Sequence, residues 1–161
     1  MSSFPTIRLE PSGIEVLNLE PAQNAIRAKY GRSYHRSRDA LDEAAALWGF
    51  ERTSSVGIWS PCDDVLEWRV GRCSAEIRLG RSPSGLWSMT TCYATSIQGQ
   101  TCAPSIWNPV AFLSRDDARQ AGLEYLVETL RGIAARRQSD ASIAQKLADM
   151  LEADLWQRSL F

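Results

Sequence analysis

Along VLEWRVGRCSAEIRLG, residues 65–80, the apolar side chains fall on even positions at Leu66, Trp68 and Val70, then on odd positions at Cys73, Ala75, Ile77 and Leu79. One straight strand cannot hold both sets on one face, because successive side chains point to opposite sides of a sheet. The parity changes at Gly71-Arg72. A two-residue hairpin turn with glycine first restores one apolar face by pairing Val70 with Cys73, Trp68 with Ala75 and Leu66 with Ile77. That register sets Glu67 opposite Glu76 on the outer face, with Arg69 and Arg78 placed diagonally to relieve the like-charge pair. A bulge at Gly71 is the competing explanation of the same switch.

Helical periodicity brackets this region. Pro21 suits a first helical turn, and Ala22, Ala25, Ile26 and Tyr30 recur at helical spacing until Gly31, which predicts a helix over 21–30. In SRDALDEAAALWGF the residues Leu41, Ala44, Ala45 and Trp48 share a face and Gly49 stands where a helix ends. After residue 114, Ser114 and Asp117 form a capping pair, and Ala118, Ala121, Tyr125, Leu126, Leu130 and Ile133 trace one face toward residue 137. A last helix starts at Ser139 or Asp140 and turns Ile143, Leu147, Met150, Leu151 and Leu155 inward.

The remaining segments read as extended or irregular. TSSVGIWS suggests a strand, LWSMTTCYAT at 86–95 a stronger one, and SIQGQTCAPSIWNP a long connection with room for one short strand. Residues 1–20, with two prolines and short alternating pieces, suit an extended lead-in arm or an edge strand. The chain is therefore expected to be one α+β domain: a lead-in arm over 1–20, a core over 21–137 and a C-terminal helix over 138–161. Its centre is an antiparallel meander of three to four strands, with helices before and after it packed on one face. The central α-β-β-β-α order is similar in topology alone to that of double-stranded-RNA-binding domains. Where those domains carry a Lys-rich patch, this chain reads SRDDAR, with two acids.

Charge alters the picture more than composition does. The chain has 18 Lys and Arg against 19 Asp and Glu, yet RAKYGRSYHRSR at 27–38 holds five of the cations and no acid. The rest of the chain is thus strongly acidic beside a basic segment. Arg27, Lys29, Arg32, Arg36 and Arg38 are interleaved with Tyr30, Tyr34 and His35, the residue types that neutralise phosphates and stack on bases. The plainer reading is a solvated helix end, where cations complement the dipole. Trp107, in an irregular loop, is hard to place in a core and joins these residues as a candidate contact, since Trp is enriched where proteins bind partners.

Other chemistries find less support. His35 is the sole histidine, and no Ser or Cys is tied to it by a motif; GRSYH lacks the second Gly of a nucleophile elbow. Cys62, Cys73, Cys92 and Cys102 lack C-x-x-C spacing, so zinc would require four thiols to converge from separate strands. Asp63 or Asp64 with Glu76-Ile77-Arg78 faintly resembles the D…E-x-K constellation of metal-dependent nucleases, in which Asp64, Glu67 and Glu76 would hold the metal. Arg78 stands in the Lys position, however, and cannot readily give up a proton. No glycine-rich phosphate loop is present, so no cofactor is expected. With no leader or apolar span in view, a cytoplasmic location is expected. The sequence points to a small non-enzymatic binding protein of bacterial or phage type, contacting nucleic acid or a nucleic-acid-handling protein through the basic and aromatic segment. An interaction or inhibitor module docking on an acidic protein surface and a metal-dependent nuclease are the rivals.

Overall fold

The computed structural model describes residues 4–51, 57–59, 62–137 and 139–158. Its elements run β1 (Thr6–Leu9), β2 (Ile14–Asn18), α1 (Glu20–Tyr30), a 3₁₀ turn (Gly31–Arg36), α2 (Arg38–Leu47), β3 (Asp64–Val70), β4 (Cys73–Arg81), β5 (Trp87–Ala94), β6 (Gly99–Gln100), β7 (Val110–Phe112), α3 (Arg115–Ala135) and α4 (Ala141–Arg158). All strand pairs are antiparallel, in the order β1-β2-β7-β5-β4-β3, with β6 beside β5. Among the described residues, no helix is long and apolar enough to cross a membrane.

The β3–β4 hairpin has the register that parity predicts, Val70 opposite Cys73, Trp68 opposite Ala75, Leu66 opposite Ile77 and Glu67 opposite Glu76. Gly71 takes φ 58°, and among the described residues only Arg137 is a non-glycine with positive φ. One positive φ at the first turn position is the glycine-first geometry that matches strand twist. The charges settle differently from expectation. Arg69 pairs with Glu67 and Arg78 with Glu76, each within its own strand, because side chains two residues apart share a face and meet without crossing to the neighbour.

The sheet is larger than the expected meander. Residues 6–18 form the hairpin β1–β2 rather than a lead-in arm, and β2 joins the sheet through β7. Helices also cover both faces, correcting the one-face arrangement. Val16 and Phe112 pack with α3 and α4, while their neighbours Leu17 and Ala111 pack with α1 and α2; adjacent strand residues point to opposite sides. On β4 the same division recurs: Leu79 faces α3 and α4, and a Cβ on Gly80 would touch the Trp59 ring of the other core at 3.4 Å.

The helices cap as their sequences dictate. The Ser37 and Ser114 hydroxyls accept from the amides of Ala40 and Asp117, satisfying donors that a first turn leaves open. Gly31 and Gly49 end α1 and α2 with φ of 68° and 85°. α3 stops at Ala135, two residues before the expected end. Tyr125 and Met150 are exposed, contrary to their inward assignment, whereas Ala144 and Ala148 are fully buried. These small residues let α4 approach its neighbour closely. The expected strand in TSSVGIWS lies mostly outside the described residues; of those described, Ile58 bridges Ser105.

Candidate partner-binding surface

Two remote segments build the surface. The first is the tight link from α1 to α2, where Gly31 breaks α1, the 3₁₀ turn carries Arg32, Tyr34, His35 and Arg36, and Ser37 restarts the helix. The second is the loop at 105–109, fixed by buried hydrogen bonds. Gln23, fully buried on α1, donates to the carbonyls of Ile106 at 3.1 Å and Asn108 at 2.8 Å. The indole of Trp48 donates to the same Ile106 carbonyl at 3.0 Å. Buried carbonyls without such partners would cost about 1–3 kcal/mol each, so the helix pair holds the loop as firmly as the loop closes the pair.

This arrangement sets the indole of Trp107 against Tyr34. Their rings meet edge to face with centroids 4.9 Å apart, and His35 meets Tyr34 at 5.6 Å. The guanidinium of Arg27 lies over both larger rings, 5.5 Å from Tyr34 and 5.3 Å from Trp107. It donates to Asn24 at 2.8 Å, and its Nε is buried without a hydrogen-bond partner. Tyr34 and Trp107 are half-buried, so each rests on the protein and leaves an edge outward. Cation–π attraction steadies this stack by about 0.5–1 kcal/mol per exposed pair.

The cations have separate fates. Lys29 and the Tyr30 hydroxyl both donate to Glu43 on α2, at 2.5 and 2.7 Å. The Lys29 hydrogen bond holds the Glu43 carboxyl below its ordinary range, and the same contact holds Lys29 above its own. These two residues brace α1 against α2. Arg38 pairs with Asp42 one turn along α2. Arg32 and Arg36 are exposed and have no ion-pair partner among the described residues. Of the residues singled out in the sequence, Arg27, Tyr34, His35 and Trp107 are thus brought into contact, Arg32 and Arg36 are exposed on the same turn as Tyr34, Lys29 and Tyr30 bond across to α2, and Arg38 pairs within α2. Gln23 and Glu43, which help make the surface possible, carry no such expectation from the sequence, and Trp48, expected on the apolar face of α2, adds its indole hydrogen bond to the loop. Gln23 had a visible signal: it stands at helical spacing between Leu19 and Ile26, a polar residue in an apolar stripe.

The rival sites come apart in three dimensions. Asp64 shares the α3–α4 face of β3 with Leu66 and Trp68 and is held by Arg115, whereas Glu67 and Glu76 point to the opposite face. No metal ion could join the three. Likewise Cys73 packs with α3 and α4 while Cys92, opposite Glu76 on β5, lies on the other side of the sheet. The Cys92 thiol instead bonds the backbone of Cys102, donating to its carbonyl and accepting its amide. No family model matches the chain, and neither the curated proteins nor the solved structures yield a match.

Proposed function

We propose that this protein is a non-enzymatic binding module that holds nucleic acid on the surface made by Arg27, Arg32, Tyr34, His35, Arg36 and Trp107. One observation carries the reading: two aromatic rings from segments far apart in the chain meet edge to face under a guanidinium, and the turn that carries Tyr34 also carries two exposed arginines that pair with no acid among the described residues. Arginines of this kind donate to phosphates, and partly exposed aromatic side chains offer contact to unstacked bases, which favours single strands over a duplex groove. Arg27, Arg32 and Arg36 supply three phosphate contacts. Affinity for a single strand is then expected to fall with salt at a log–log slope of about −2.

The test is a titration of tryptophan fluorescence with oligothymidylate and oligouridylate between low and physiological salt. Quenching with that slope, lost in the Arg32→Gln/Arg36→Gln double variant, supports the reading. No binding at low salt, or binding indifferent to the two arginines, refutes it. An acidic protein surface is the second partner class, favoured by the Arg–Tyr–Trp composition that dominates binding hot spots. It predicts that the double variant loses its partner mainly through slower association.

A further inference from the structure

A second site lies where the sheet parts. On the side away from β4, β5 is paired only at Trp87, with β7, and at Tyr93 and Ala94, with β6. Among the described residues, no strand flanks 88–92 there. A cavity of about 890 Å³ occupies this stretch, bounded by Leu9 of β1, the Thr90–Thr91 pair, Ala121 and Val127 of α3 and Leu155 of α4. Thr90 and Thr91 point to opposite faces of the sheet, so a cavity that touches both runs along the strand edge and not over a face. Its volume falls in the range of binding clefts.

Two further observations point to an occupant. The Thr90 hydroxyl is buried without a hydrogen-bond partner. Thr91, 9 % exposed, has no side-chain hydrogen bond to the described chain although it lines the cavity. Polar groups so placed normally find partners. The rim is acidic: Glu10, Glu124 and Glu128 border the cavity, and Arg131, its one cation, is already paired with Glu152. We infer that the gap receives an extended, basic peptide segment of a partner protein, adding a strand to the edge of β5. Its backbone pairs along 89–91, replacing the long 3.5 Å hydrogen bond from the Asn108 side chain to the Met89 carbonyl, an apolar side chain enters between Met89, Val127 and Leu155, and Lys or Arg side chains meet Glu124 and Glu128.

The two sites share no lining residue, so either can fail without the other. Three labelled hexapeptides serve as probes in fluorescence anisotropy: alternating lysine and valine, the same peptide with a central proline, and alternating glutamate and valine. The lysine–valine peptide is expected to bind about tenfold or more tighter than the other two, because proline removes a ladder donor and glutamate meets like charge. Glu124→Gln with Glu128→Gln should weaken it about three- to tenfold, leave oligonucleotide binding unchanged, and reduce, at peptide concentrations near the parent Kd, the slowed amide exchange that the peptide confers on residues 89–91. Three results would each overturn the inference: no binding of the lysine–valine peptide at millimolar concentration, equal binding of the proline peptide, or no exchange protection at 89–91. A salt-sensitive oligomer that the double variant restores to monomer would place a second copy in the gap and would overturn it too.

Discussion

Tyr34 and Trp107 meet edge to face at 4.9 Å, although one sits in the 3₁₀ turn between α1 and α2 and the other in the loop before β7. Their contact couples the α1–α2 pair to that loop. A double-mutant cycle with Tyr34→Ala and Trp107→Ala, read by urea unfolding, is expected to give a coupling of about 0.5–1.5 kcal/mol. Strict additivity would mean that the rings only lie near one another.

Arg32→Gln with Arg36→Gln should leave the unfolding midpoint unchanged, since neither side chain touches the described chain through an ion pair. Lys29→Gln should do the reverse, with no effect on partner binding and only a small loss of stability, as for an exposed pair. A Lys29 variant that binds as poorly as the double arginine variant would contradict its role as a brace.

Trp68 ties the edge strand β3 to α4 by donating from its indole to Asp154 at 2.8 Å. Because β3 has a neighbour on one side only, Trp68 is half-buried. Trp68→Ala should therefore cost about 2–3 kcal/mol, below the range for a fully enclosed Trp. Trp68→Phe, which keeps the ring but not the donor, should cost about 1 kcal/mol. Chemical denaturation of the two variants separates these contributions.

Two glycine substitutions should fail for different reasons. A Cβ on Gly71 meets nothing within 4 Å, but its φ of 58° disfavours any L side chain, so Gly71→Ala should cost about 1–2 kcal/mol through backbone strain alone. Gly122 on α3 has no such φ, yet a Cβ there would press on Ile77 at 3.0 Å. Gly122→Ala should cost about 1–3 kcal/mol by overpacking, and Ile77→Val should relieve part of it. A parental unfolding midpoint for Gly122→Ala would rule out the clash.

Asp140, nearly buried at the start of α4, accepts the Ser96 hydroxyl and amide, both at 2.6 Å. The Ser96 hydroxyl holds its carboxyl below the ordinary Asp value. The folded-state value lies below the unfolded one, so this stabilisation is complete above the ordinary Asp range and is lost as pH falls through the folded value. Unfolding followed from neutral to acid pH should show a shallower acid limb for Ser96→Ala than for the parent. Parallel limbs would mean that Asp140 gains nothing from Ser96.

The hairpin was legible because a single parity change admits few registers, and one face had to be apolar. Burial on both sides of β2 and β7 was harder to read. Its trace is the adjacent apolar pairs Val16-Leu17 and Ala111-Phe112, which a search for strict alternation passes over. β7, three residues long after Pro109, is too short to announce itself. In α4, Met150 drew attention by size and Ala144 and Ala148 did not, although close packing selects for the small residues. At the surface, the sequence showed which residues were basic and aromatic. It could not show that Glu43 would claim Lys29 and Tyr30, because that pairing depends on how α1 and α2 meet; the Arg38–Asp42 pair, four residues apart on one helix, was open to reading.

The hydrogen bonds from Gln23 reach carbonyls 83 and 85 positions further along the chain. During vectorial synthesis α1 and α2 emerge long before their last partner, with a buried amide unsatisfied and Tyr34 lacking its indole neighbour. The helix pair can form early, but it cannot set until residue 108 has left the ribosome and the intervening strands have closed the loop. A nascent chain truncated before residue 105 would display its arginines without the indole that packs against Tyr34.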